Sequence, residues 1–191
     1  MSAEQRKVGF IDVRTVVPDA VVDMRYATKH NFTGVRLDPK DARCLIHRSM
    51  ASGLRAGAKI LRAKGFVLYF FDCYRPHSVQ QKMWHVVPNP MWIAKPGPFS
   101  RSHETGRSVD VTFAPRATGR PVDTGTAYDN FTPLAWAYQS KGLTTKQIAN
   151  RATLRKALQH DGTLHVYDGE WWHFDGPDAG KHMPIVDVPD N

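Results

Sequence analysis

Two of the nine histidines stand among residues that could share chemistry with them. His103 lies in Ser102-His103-Glu104-Thr105-Gly106-Arg107-Ser108-Val109-Asp110, a loop imidazole followed by a carboxylate on a strand-like segment. Gly106 permits a tight turn between them. Imidazole and carboxylate are both good zinc ligands. Taken alone, His-x6-Asp equally describes a turn histidine hydrogen-bonded to a nearby acid. His173 lies in Glu170-Trp171-Trp172-His173-Phe174, where two tryptophans could exclude water. Three protein ligands and one open position make a catalytic zinc site, and His103, Asp110 and His173 would supply the three. Glu170 would then remain as general base toward the activated water. Residues three apart on a regular strand face opposite ways, so Glu170 is expected on a turn or bulge ahead of the strand. Plain aromatic packing around a core histidine accounts for the same five residues. Arg75, between Tyr74 and Pro76, is placed either to stabilise an oxyanion or to pair with Asp72. The other histidines, His30, His47, His77, His85, His160, His165 and His182, read as ordinary surface or internally satisfied side chains.

These residues need elements to hold them. Ile46, Met50, Leu54, Ala58 and Leu61 recur at helical spacing, which predicts a helix ending at Gly65. The unbroken apolar run Phe66 to Phe71 predicts a buried strand, stopped at Pro76. Ser78 is a candidate cap for a helix over Val79 to Val87, and the prolines of 88–99 predict a loop. Ser108 to Phe113 alternates, with Ser108, Asp110 and Thr112 on one face. Residues 115–130 read as loop, 133–141 and 146–160 as helices, and Thr163–Tyr167 with Glu170–Phe174 as a hairpin turning at Asp168-Gly169. The expected architecture is α+β, a single domain over 1–191 with a central, mainly antiparallel sheet flanked by helices.

Composition sets limits. The 191 residues are 41% hydrophobic and 23% charged, which excludes a disordered chain. No apolar run approaches a membrane span. The net charge of +8 is scattered, Arg6-Lys7, Arg55, Arg62, Arg151 and Arg155 among others, and reads as solvated surface with no nucleic-acid partner. The first residues lack the apolar stretch of a secretory signal, so a cytoplasmic location is expected, with Cys44 and Cys73 reduced.

Taken together, the segments Met24-Arg25-Tyr26-Ala27-Thr28, Asn31-Phe32-Thr33-Gly34, Asp72-Cys73-Tyr74-Arg75-Pro76, Ser102-His103-x2-Gly106-x3-Asp110 and Glu170-Trp171-Trp172-His173 resemble the D-alanyl-D-alanine dipeptidase family of zinc peptidases. The Ser-x-His-x6-Asp type and Glu-x-Trp-His portions are shared with the wider D,D-carboxypeptidases and peptidoglycan endopeptidases. Asn-Phe-Thr-Gly and Glu-Trp-Trp-His favour the dipeptidase branch. The resemblance implies one zinc ion held by His103, Asp110 and His173, Glu170 as general base, and Arg75 facing the tetrahedral intermediate. It further implies Asp129 as the acid meeting the substrate amine, with Ser102 beside the substrate, which would be a small D,D-dipeptide. The sequence departs from the family at Cys73, where Gly is frequent, and along 85–100, which looks shorter. A D,D-carboxypeptidase or wall endopeptidase, and a non-catalytic module with structural zinc, are the competing expectations.

Overall fold

The run Phe66–Phe71 does form a strand, and the rest of the structure is arranged about it. A computed structural model describes residues 1–191. In chain order the elements are α1 (Ala3–Lys7), β1 (Phe10–Asp12), β2 (Val21–Val22), β3 (Leu45–His47), α2 (Ala51–Arg62), β4 (Phe66–Asp72), α3 (His77–Val86), β5 (Ser108–Pro115), α4 (Thr145–Leu158), β6 (His165–Val166) and β7 (His173–Asp175). Five strands make one sheet in the order β2-β4-β5-β7-β6. Only the β2–β4 pair is parallel, so the sheet is mainly antiparallel, as expected of the α+β class. Strands β1 and β3 form a separate antiparallel ribbon.

Helix α2 packs against β4 and against α4, and α4 reaches β6. The layer between them is apolar: Leu54, Leu61, Leu68, Phe70, Phe113 and Leu158 belong to one cluster of 30 buried side chains. The two helices approach closely because Gly57 has no side chain. A Cβ there would lie 2.7 Å from Leu158 Cδ2 and 3.2 Å from the Ala157 carbonyl. Helix α4 starts in a capping box, Thr144 accepting from the Gln147 amide while Gln147 accepts from the Thr144 amide. No helix is long and apolar enough to cross a membrane.

Several local expectations are corrected. Ile46 and its neighbours are strand β3, and the helix begins only at Ala51. The periodic apolar spacing ran across this break because strand and helix both turn their apolar residues into one core. Helix α3 begins at His77 with Pro76 as its N-cap, and Ser78 instead binds Asp187 from the carboxy-terminal tail. The predicted helix over 133–141 is a single 3-10 turn, Pro133–Ala135. Arg151, expected in the solvated surface, is 1% exposed. Its guanidinium donates to the carbonyls of Thr124, Leu134 and Trp136, pinning the long 115–136 loop onto α4. Cys44 and Cys73, expected reduced, form a disulfide between β3's leading edge and the end of β4, with 5.1 Å between their Cα atoms.

Candidate metal centre and active site

The register of the sheet brings the polar residues together. Asp110 on β5 lies opposite His173 on β7 and opposite Asp72 on β4. Directly opposed residues on neighbouring strands share a face, so all three side chains point the same way. The β4–β5 pairing Tyr69↔Thr112 and Phe70↔Val111 would continue with Phe71 opposite Asp110, but the register shifts there and Asp72 takes that place. This is a β-bulge, in which two residues of one strand meet one of its partner. His103 arrives from the 3-10 turn Ser102–Thr105, which Gly106 closes in the left-handed region at φ 64°. A Cβ at Gly106 would sit 2.9 Å from the His47 amide nitrogen.

These elements place His103 Nε2 3.0 Å from His173 Nδ1 and 3.2 Å from Asp110 Oδ1. His173 Nδ1 is 3.1 Å from the same Asp110 oxygen. No other trio of His, Cys, Asp or Glu side chains converges so closely. Each member is also held from behind. His103 Nδ1 lies 2.7 Å from the Cys73 carbonyl, which can only accept, so that nitrogen carries the hydrogen and Nε2 is left as the lone-pair atom. His173 Nε2 meets Asp175 Oδ1 at 3.0 Å, leaving Nδ1 toward the cluster. Asp175 stands two residues after His173 on one strand, hence on one face. It also accepts from Ser108, whose oxygen accepts from Ser102 at 2.9 Å. Tyr128 donates to the second oxygen of Asp110 at 2.8 Å, and the Tyr128 ring stacks on Phe71. Two imidazole nitrogens and one carboxylate oxygen, oriented by partners on their far sides, form a donor set that fits a zinc-type cation with a position left for water or substrate.

Glu170 stands in the turn before β7, as the strand geometry required, with Oε2 3.9 Å from His173 Nδ1. Burial pushes its pKa up to about 8, with His173 pulling the other way and Asp110 adding to the rise. Burial also opposes ionisation of Asp110, but His103 and His173 outweigh it and hold that carboxyl well below its usual range. Arg75 forms the ion pair with Asp72 that was one of its two expected roles. Its Nε and Nη2 donate to Asp72 Oδ2 at 3.0 and 2.7 Å, and Nη1 donates to Gln80 at 2.7 Å. Three of its five N–H groups are thereby engaged, which leaves two without a partner, and Nη2 lies 3.9 Å from Asp110 Oδ2. Asp129 is held in the left-handed region at φ 58°, an uncommon state for a non-glycine residue. It accepts from Tyr26 at 3.0 Å. Burial, with Asp110 and Glu170 nearby, raises its pKa well above the ordinary value.

All seven residues singled out from the sequence, Ser102, His103, Asp110, Asp129, Glu170, His173 and Arg75, line one cavity of about 340 Å³. That is near the small end of the ~300–1,000 Å³ usual for small-molecule pockets. Pro90, Met91, Trp92, Ile93 and Ala94 line it from the proline-rich 88–99 segment, with Phe131 beside Trp92.

A family profile described as D-ala-D-ala dipeptidase, Peptidase_M15, matches residues 6–191. The chain belongs to this family. Among curated proteins, it is 28% identical to the D-alanyl-D-alanine dipeptidase of Escherichia coli K12 over 93% of this chain and 89% of that one. It is 28% identical to the enzyme of that name from Enterococcus faecalis, over 87% of this chain and 90% of that one. For the Enterococcus faecium enzyme the identity is 24%, over 88% and 91%. The solved structure of the LdcB LD-carboxypeptidase overlaps 69% of this chain and 59% of its own, with a TM-score of 0.38 at 17% identity. This D-ala-D-ala dipeptidase family member is therefore a peptidase.

Reading residue types alone missed the supporting groups. Asp175 carried a signal, an acid at i+2 from a candidate ligand on a strand. Tyr128 carried a weaker one, next to Asp129. The Cys73 carbonyl carried none, since every residue has one. His77, read as either an ordinary surface or an internally satisfied side chain, is the latter: it is buried and paired with Glu104.

Proposed function

We propose that the protein hydrolyses the D,D-dipeptide D-Ala-D-Ala to free D-alanine with one zinc ion per chain, as a single dipeptidase domain. The observation that carries this reading is the closure of His103, Asp110 and His173 to within 3.2 Å of one another beside Glu170, in a chain of the D-ala-D-ala dipeptidase family. His103, Asp110 and His173 would hold the ion. Bound there, zinc supplies Lewis acidity and makes its water acidic enough to be a nucleophile near neutral pH. Glu170, with its pKa raised toward the working range, takes the proton of the attacking water and returns it to the leaving amine. Arg75 presents its remaining N–H groups to the oxygen on which negative charge develops. Asp129 receives the free amine of the substrate, so an N-blocked peptide would leave this buried acid with Tyr26 but no cation. Ser102 lies beside the substrate and, through Ser108 and Asp175, steadies His173.

Glu170→Gln tests the reading. Zinc content should stay at one per chain, while D-alanine release falls about 10²–10⁴-fold. Undiminished turnover would remove Glu170 from the chemistry. Faster cleavage of a muropeptide ending in D-Ala-D-Ala than of the free dipeptide would replace the dipeptidase reading with a carboxypeptidase one.

A further inference from the structure

The cavity is charged unevenly. Five carboxylates line it, against two guanidiniums and the two candidate ligand imidazoles. A D,D-dipeptide is a zwitterion, and Asp129 accounts for its amine alone. Its free carboxylate must enter a cavity lined by five acids, and needs a cationic partner that is not already engaged.

Arg75 spends three N–H groups on Asp72 and Gln80, and its remaining two are the ones assigned above to the oxygen on which charge develops. The neutral donors near the mouth are also spoken for: the Ser102 hydroxyl donates to Ser108, and the Gln80 amide donates to the Ala94 carbonyl. Arg101 is different. It lines the cavity, is half-buried, and its guanidinium makes no hydrogen bond or ion pair within the chain. The nearby acid Glu104 already binds His77 and is not free to take it. The Arg101 backbone is fixed on both sides, by the Ser100–Met183 bridge and by the Ser102 amide donating to the Ala179 carbonyl at 2.7 Å. An unpaired guanidinium on a backbone held at both neighbours, two residues before His103, is free to fork a carboxylate.

We propose that Arg101 binds the free α-carboxylate of the substrate and so confines the enzyme to peptides that end at the cleaved residue. This rests on the dipeptidase reading and sharpens it, because an interior D,D bond of a wall polymer has no carboxylate to offer.

The test compares D-Ala-D-Ala with its C-terminal amide, on wild type, Arg101→Ala and Arg101→Lys. Affinity is measured by NMR titration of the metal-free protein, where nothing is turned over, and kcat and KM are measured on the zinc-loaded protein. Wild type should bind the acid about 10–100-fold more tightly than the amide. In Arg101→Ala that ratio should collapse toward one through loss of acid binding, with amide binding and melting temperature unchanged. Arg101→Lys should restore part of it. KM for the acid should rise in Arg101→Ala, with kcat changing less. An acid-to-amide affinity ratio in Arg101→Ala equal to that of wild type would overturn the assignment. If wild type discriminates acid from amide yet hydrolyses neither, the dipeptidase reading fails and the carboxylate subsite stands.

Discussion

The layer between β4 and the two long helices, and the end of the sheet where β4, β5 and β7 meet, obey different physics. In the first, α2 and α4 bury Leu54, Leu61, Leu158 and their neighbours against Leu68 and Phe70, and no atom there needs a particular partner. In the second, also buried, both ring nitrogens of His103 and His173 and both oxygens of Asp110 are assigned to a named group. Apolar burial is non-directional and scales with area. A buried polar network stands or falls by the position of each atom. The first region supplies stability, and the second consumes part of it to hold a geometry.

The contrast can be broken or sharpened by three measurements. Leu54→Ala should cost about 2–5 kcal/mol in chemical denaturation, with KM and zinc content unchanged in the protein that remains folded. Asp175→Asn should do the reverse. It keeps the shape but weakens the hold on His173, so zinc affinity in a chelator competition should drop about 10–100-fold, with little change in melting temperature. Were Asp175→Asn to unfold the protein and leave zinc affinity alone, the polar end would be scaffold and the distinction would collapse.

The third measurement concerns pH. Burial raises Asp38 to about 8 and Asp190 to about 7, and the charge of Asp72 adds to both. None of the four carboxyl oxygens of Asp38 and Asp190 has a hydrogen-bond partner. Their folded pKa values lie above the unfolded ones, so the folded state binds the extra protons. The stability they contribute is fully present below the unfolded carboxyl range and is lost as pH rises through about 7 to 8. Unfolding free energy should therefore fall between about pH 4 and about pH 8 and level off above that. Asp38→Asn should flatten that slope by up to about 1.4 kcal/mol per pH unit. A slope unaltered by the substitution would place its origin elsewhere.

The apolar region is the more legible of the two in the sequence. Phe66–Phe71 and the spacing of Leu54, Ala58 and Leu61 announce their burial because the hydrophobic effect acts on residue type and period. Boundaries are less visible: β3 and α2 present one continuous apolar face, and their division is decided by pairing with β1 far away in the chain. At the polar end, the residues that could bind a metal are legible as types, and the family resemblance adds their roles. What holds them is not. The Cys73 carbonyl, the Arg151 anchors of the 115–136 loop and the Cys44–Cys73 bond depend on distances between segments that are remote along the chain. The scattered positive charge misled for the same reason, since a guanidinium turned inward toward carbonyls looks, as a letter, like one turned to water.

The extra residue at Phe71 makes chain length itself part of what shapes the polar cluster. One rung of the sheet receives two side chains from β4: a carboxylate that grips Arg75, and a ring that backs the tyrosine on Asp110. Removing a single codon at Phe71 would leave every ionisable group encoded and Asp72 still facing Asp110 in a flatter ladder, yet Tyr128 would lose its support. A comparison that counts matching letters would score such a variant as nearly intact, whereas the reaction would register the missing ring.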